Sequence, residues 1–299
     1  MMADARTKAV LAGALGNVIW GFSFLFIKIA LRAVPDPNVL LAHRFTLSTL
    51  LMLGMMLAGK GRLSFKGKNW RPVVLLLTMQ LTYYLFESYG ILYTNSLVAG
   101  LVLALVPIVT IGTGALLLKE YPTRRQALFC IMPVIGVILM TISGKELGAI
   151  TWIGMLFLVL TLLSSALYKT ASRKAAAEFD PFERTFMVLA ISAVFFSCMG
   201  IGAVKGDMVA FFAPFTDWTY VLAVLALSVF CSIVAGILVN YATSHMSVFK
   251  VSSFGSLSTL CSTFAGVFIL HEPANWMLFL GGALIIVGIW QVTRSGKKD

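Results

Sequence analysis

Gln80, Tyr84 and Glu87 stand at positions i, i+4 and i+7 inside an apolar stretch, so one face of one helix carries all three. A carboxylate at that depth is costly to bury unless paired or hydrated, and is a functional candidate on that ground. Glu87 could hold a cationic group of a solute or carry a coupling proton. Its candidate partners are Arg44 and Lys28, each close to the same end of its own apolar run. All three fall within roughly 10 Å of that end at 1.5 Å per helical residue. Two blander readings stand beside these. Arg44 and Glu87 could form a structural ion pair, and Lys28 could snorkel to the membrane surface.

Further polar stripes repeat the helical spacing. Ser232, Gly236, Asn240 and Thr243 share a face, as do Ser252, Ser256, Thr259 and Thr263. A fourth set, Gly100, Ala104, Pro107 and Ile111, is small and carries a proline that should kink its helix. These faces either line a pathway or let helices pack closely, since small and hydroxylated residues serve both ends. Asn17 lies one turn before Trp20, and the aromatics near Glu87 include Tyr84 and Tyr89. Trp20 is the aromatic candidate for the pathway wall. The expected cavity set is therefore Asn17, Trp20, Gln80, Tyr84, Glu87, Tyr89, Asn240, Ser252, Ser256 and Thr259.

The elements that must position these residues are membrane spans. Apolar residues make up 59% of the 299-residue chain and charged residues 12%, against roughly 25% charged in a soluble domain. Runs of about 20 apolar residues, the length of a transmembrane helix, recur throughout. Ten spans can be drawn, at residues 9–30, 39–58, 72–92, 98–118, 126–141, 151–168, 186–204, 218–241, 251–270 and 276–293. The net charge of +11 follows from topology and not from nucleic-acid binding. Lys and Arg concentrate in alternate connections, which the positive-inside rule assigns to the cytoplasm. That set includes Lys119, Lys169, Arg173, Arg184 and Lys250, and it places both termini in the cytoplasm. The four cysteines all lie inside apolar runs without a metal spacing and are expected as packing residues.

The chain is also internally duplicated. At a constant offset of 152, Tyr89 falls on Tyr241, Gly114 on Gly266, Glu120 on Glu272, Gly136 on Gly288 and Thr141 on Thr293. Ten spans divide into two sets of five, at residues 1–145 and 146–299. Five is odd, so the second set should be inverted in the membrane, with the breaks at Glu120 and Glu272 on opposite sides. Inverted repeats of this kind are the usual architecture of secondary transporters.

Trp20-Gly21-Phe22-Ser23 with Lys28, then Arg44-Phe45, resembles the opening of an EamA domain of the drug/metabolite transporter superfamily. Pro107, Leu118-Lys119-Glu120 and Ile135-Gly136-Val137 are similar to its end, and His271-Glu272-Pro273 with Val287-Gly288-Ile289 repeats that end. The resemblance covers essentially the whole chain. It implies an all-α polytopic membrane protein of ten helices, a central cavity between halves, alternating access and varied metabolites as cargo, often amino acids moved outward. In this chain Thr259 stands where the second copy should have its proline.

Other chemistries are set aside. No GxxxxGK[ST], HExxH or GxSxG pattern occurs, and no paired acidic cluster suits a metal. No catalytic activity and no cofactor are expected. The expected partners are a small-molecule substrate, membrane lipid and a possible coupling proton. The expected location is a bacterial cytoplasmic membrane. Export of an amino-acid-like metabolite is the leading functional expectation. Exchange of an organic anion such as a nucleotide sugar, and a non-transporting scaffold or sensor, are the alternatives.

Overall fold

The computed structural model of the chain describes residues 2–34, 36–64, 66–94, 96–142, 151–270 and 276–294. Glu272, His271 and Lys145 lie outside the described residues, as do the side chains of Lys28, Gly100 and Thr263. The described residues are helical, with turns and short connections between helices. In order they are α1 (Met2–Ala30), α2 (Pro37–Leu57), α3 (Arg71–Tyr93), α4 (Ser96–Leu103), α5 (Val106–Leu118), α6 (Arg124–Ile142) and α7 (Trp152–Ala175). There follow α8 (Pro181–Ala203), α9 (Met208–Phe212), α10 (Trp218–Ala226), α11 (Ala235–His245), α12 (Val248–Ser253), α13 (Gly255–Leu270) and α14 (Trp276–Arg294).

Helix is what these sequences must form. In hydrocarbon a backbone has no water to bond, and a helix satisfies its N–H and C=O groups within one segment. Six of the described spans are long and apolar enough to cross a bilayer, including the α10–α11 rod Trp218–His245. Their ends are marked by side chains that take up the free amide groups. Asp36 caps α2 ahead of Pro37, Thr151 caps α7, and Asp180 with Glu183 forms a reciprocal capping box at the start of α8. Large apolar side chains such as Leu57, Leu116, Trp152 and Phe268 are exposed on the outside of the bundle, where lipid would cover them.

The bundle is knitted across the midpoint of the chain. α3 packs along α7, α2 along α8, α6 along α14, and α1 against both α11 and α13. The contacts are close where glycines face backbone. A Cβ on Gly136 would lie 2.5 Å from the carbonyl oxygen of Gly281, across the α6–α14 seam. One apolar core lies around α2, α8 and α10, with Leu40, Phe45, Leu189, Phe196 and Tyr220 buried in it. A second joins α1 to the C-terminal helices through Val137, Ala242, Phe254, Leu260 and Ile285.

Four spans depart from straight, uniform helices or from their drawn ends, the fourth at the proline that was expected to kink it. The fourth span is two helices, broken between Leu103 and Val106, and the ninth is also two, broken at Phe254. At the offset of 152 the two breaks lie two to three residues apart and share one hydrogen bond. Leu105 N–H donates to Val102 C=O at 3.1 Å, and Leu257 N–H donates to Phe254 C=O at 2.9 Å, which are equivalent bonds at the offset of 152. Pro107 lacks an N–H to continue its helix, yet Thr259 in its place does not keep the second copy straight. The sixth span continues past Tyr168 to Ala175, and the eighth contains a widened, π-helical turn at Leu227–Val234. Such turns leave backbone carbonyls for other partners and recur at functional sites.

Candidate functional site

A cavity of about 380 Å³ runs down the centre of the bundle, walled by residues of α1, α2, α3, α7, α8, α11 and both broken helices. The stripes read from spacing converge on it. Gln80, Tyr84 and Glu87 enter from α3, and Gly236, Asn240 and Thr243 from α11. Ser232 comes from the wide turn, Ser252 from α12, and Ser256 and Thr259 from α13. Ala104 and Pro107 face it at the break of the fourth span, whereas Ile111 packs instead against Cys130, Phe249 and Val292. Cys231 is on the wall and buried, and the cysteines are free thiols.

Asn17 and Trp20 line the cavity from α1. Asn17 Nδ2 donates to Gly13 C=O at 2.8 Å, and Trp20 Nε1 donates to Cys231 C=O at 2.8 Å. The second bond ends on the wide turn, whose geometry makes that carbonyl available. Tyr89 is the exception among the expected set. It is 40% exposed, stacks near Phe157 with ring centroids 5.6 Å apart, and is not on the cavity wall. Its position two residues past Glu87 turns it about 200° around the helix, to the outside of α3.

The charged side chains differ from expectation most. Arg44 and Glu87 both line the cavity but do not pair with each other. Arg44 Nε donates to Ser232 Oγ at 2.8 Å, and its guanidinium lies 5.4 Å from the Phe45 ring centroid. Glu87 accepts a hydrogen bond from Tyr83 Oη at 2.7 Å. Among the described residues its carboxylate is therefore held by one phenol from its own helix, and the Arg44 guanidinium is tied to the wide turn. The structural ion pair weighed from sequence is absent.

Three cations expected in cytoplasmic loops are in the bundle. Arg184 and Lys250 are buried, and Lys169 lines the cavity. The signal for Lys169 was present in the sequence. Ser165, Lys169 and Ser172 stand at i, i+4 and i+7, the spacing of Gln80, Tyr84 and Glu87, and all three are on the wall. Among the described residues, the charged groups on the wall are Arg44, Glu87 and Lys169.

Beyond Lys169 the cavity ends in a polar clamp. Arg173 Nε donates to Glu120 Oε1 at 2.8 Å, and the same guanidinium donates to the carbonyls of Thr243 and Ser244 at 3.1 and 2.8 Å. Glu120 Oε2 accepts from Val248 N–H at 2.8 Å. Beneath the floor, Arg184 donates to Ser172 and Asn240 carbonyls at 2.8 and 2.7 Å and to the hydroxyl of Ser244. Asn240 in turn accepts from Ser172 Oγ and donates to Thr185 Oγ1. One connected network thus ties the end of α5, α7, α8, α11 and α12 together. The bonds made by Glu120, Arg173 and Arg184 involve a full charge, and such hydrogen bonds are roughly twice as strong as neutral ones.

Three comparisons bear on this geometry. The EamA-like transporter family matches residues 7–142 and again residues 152–294. An uncharacterized transporter YcxC of Bacillus subtilis (strain 168) is 35% identical over 97% of this chain and 94% of its own length. An uncharacterized transporter of Archaeoglobus fulgidus is 24% identical over 97% of this chain and 99% of its own. A crystal structure with 19% identity superimposes with a TM-score of 0.80 over 95% of this chain and 98% of that one, a likeness of fold.

Proposed function

This chain belongs to the EamA-like transporter family, and on that premise we propose that it is a secondary transporter that exports a small polar or amphipathic, amino-acid-like metabolite by alternating access. It is an integral membrane protein of a transporter family. The observation that carries the export reading is the central cavity, built by helices from both halves of the chain and lined by Glu87. An ionisable side chain there, held by one phenol, suits a transient partner better than a permanent one. We read the clamp of Glu120, Arg173 and Arg184 as the closed gate of the present state.

The same proposal takes the chain as ten spans in two inverted five-helix repeats, residues 1–145 and 146–299, with cytoplasmic termini. The breaks of the fourth and ninth spans, two to three residues apart at the offset of 152, support it. Broken helices at the bilayer midplane are where transporters of inverted-repeat design bind their cargo. The topology is tested by thiol labelling in a cysteine-free background, needed because Cys198 is exposed. A cysteine at Thr123 should react only from the cytoplasmic side and one at Asn275 only from the opposite side. Labelling of both from one side would overturn the inversion.

The role of Glu87 is tested by transport. Comparing metabolites released by cells with and without the gene supplies the solute, and proteoliposomes then carry the parent and Glu87→Gln. Losing a hydrogen bond to a charged group costs about 1.5–3 kcal/mol, so uptake by the variant should fall roughly ten- to hundredfold. Its pH dependence should flatten, because the group that takes and releases the proton is gone. Unchanged rates with an unchanged pH profile would remove Glu87 from both binding and coupling.

A second reading, exchange of an organic anion, is favoured by one observation, the cation Lys169 on the wall. Transport that requires a counter-anion on the opposite side of the membrane would select it over export.

A further inference from the structure

Lys169 is a charged wall residue to which the export reading gives no role. It sits six residues before the end of α7, on the face it shares with Ser165 and Ser172. Its Nζ donates to Ser252 Oγ at 3.4 Å, a long contact to a neutral acceptor. Among the described residues, no carboxylate pairs with it. The floor around the ammonium is otherwise small. A Cβ on Gly255 would lie 3.5 Å from Nζ, so glycine at the break between α12 and α13 leaves the ammonium open to the cavity. An ammonium placed this deep with one hydroxyl partner is expensive to keep charged, and such groups mark solute pathways.

The height of Lys169 sets it apart from Glu87. α3 and α7 run antiparallel, with Thr82 Oγ1 3.2 Å from Ser164 Oγ and Thr151 Oγ1 2.7 Å from Tyr93 C=O. Counted from those levels, Glu87 and Lys169 are about ten residues apart in height, roughly 15 Å at 1.5 Å per residue. Glu87 is therefore towards one end of the cavity, where the Arg44 guanidinium, tied to Ser232, also lines the wall, and the Lys169 ammonium is at the other, next to the clamp. A solute as short as an α-amino acid reaches one end or the other, not both.

On the transporter reading above, we propose that Lys169 binds the carboxylate of the transported solute, with that end held against Ser252 and the clamp and the remainder of the solute pointing along the cavity towards Tyr84 and Glu87. A carboxylate fits better than a phosphate. One ammonium flanked by hydroxyls balances one negative charge, whereas a phosphate monoester carries about −1.5 to −2 at neutral pH. Phosphate would call for a second cation at this level, and the guanidinium groups of Arg173 and Arg184 are occupied by Glu120 and by backbone and side-chain oxygens.

The test measures binding directly, so that it does not depend on transport. Purified protein in lipid nanodiscs is titrated with α-amino acids of graded side-chain size, their carboxamides, the carboxylic acids lacking the amine, and matching phosphate monoesters. Affinity is read by ligand-induced thermal stabilisation. Wild-type protein should bind carboxylate-bearing probes roughly ten- to hundredfold more tightly than the carboxamides. K169M should bind acid and amide alike, and K169R should keep the preference. The proposal is overturned if no carboxylate probe binds wild type, if phosphate monoesters are preferred, or if K169M discriminates as wild type does. Failure of the transport reading looks different: carboxylates bind with the Lys169-dependent preference, yet proteoliposomes do not move them.

Discussion

Glu183→Ala should lower the stability of the protein by about 3–5 kcal/mol, the range for removing one partner of a buried ion pair. Glu183 is 3% exposed and accepts four contacts. Lys68 Nζ donates to both carboxylate oxygens at 2.8 and 2.6 Å, Ser64 N–H donates at 2.7 Å, and Asp180 N–H at 2.9 Å. Truncation to alanine leaves two amide groups and an ammonium without their acceptor, and removes half of the capping box that starts α8. The Lys68 ammonium also lies 4.6 Å from the Phe179 ring centroid. This carboxylate therefore staples the α2–α3 connection to the α7–α8 turn. Both connections end helices that carry cavity residues, α3 with Glu87 and α7 with Lys169. Lys68→Ala should cost less, because the carboxylate keeps its two amide donors and Lys68 is 17% exposed. Thermal and denaturant unfolding of the two single variants and the double variant closes a cycle that isolates the pair. A loss below about 1 kcal/mol for Glu183→Ala would show the staple to be dispensable.

Gly21→Val is the second large effect expected, and it acts on the cavity wall itself. Gly21 is buried on α1, next to Trp20, where α1 crosses α13. A Cβ there would lie 2.6 Å from Cys261 Cβ and 2.7 Å from the Ser258 carbonyl oxygen. The second obstacle is backbone, which cannot swing aside as a side chain can. The helices must separate, and overpacking of this kind typically costs about 1–3 kcal/mol. Alanine should already be harmful and valine worse. The separation should also pull Trp20 Nε1 from Cys231 C=O and reshape the wall, so ligand affinity should fall along with stability. Gly54→Ala is the control. It sits in α2 with nothing within 4 Å of the added Cβ, so it should be neutral or stabilise by up to about 1 kcal/mol through helix propensity. If Gly21→Val unfolds at the parent's midpoint, the α1–α13 crossing yields to the added side chain and the prediction fails.

How much of this was legible beforehand divides along a physical line. The polar faces of α3, α11 and α12–α13 were readable because a helix fixes side-chain direction at about 100° per residue, whatever the helix packs against. Gln80, Tyr84, Glu87, Asn240, Ser252, Ser256 and Thr259 were found that way, and the structure places them on one wall. Lys169 was missed although it obeys the same rule. Hydropathy falls after Tyr168, where Lys169, Thr170, Ser172, Arg173 and Lys174 follow. Low hydropathy describes water on a surface and water in a cavity equally, so the helix seemed to end there. Arg184 and Lys250 were assigned to loops for the same reason.

The sequence by itself determined that the chain lies in a membrane, that it is helical, that residues 89–141 recur at a fixed offset in residues 241–293, and that certain faces are polar. Each of these rests on composition or on local periodicity, and neither needs a neighbour to be known. The tertiary structure decided which polar groups meet. It tied Arg44 to Ser232 and not to Glu87, because the widened turn at Leu227–Val234 brings that hydroxyl to α2. It turned Tyr89 outward and Lys169 inward, and it broke the ninth span without a proline. Pairing of charges depends on distances between helices far apart in sequence, and no spacing along one chain encodes those distances.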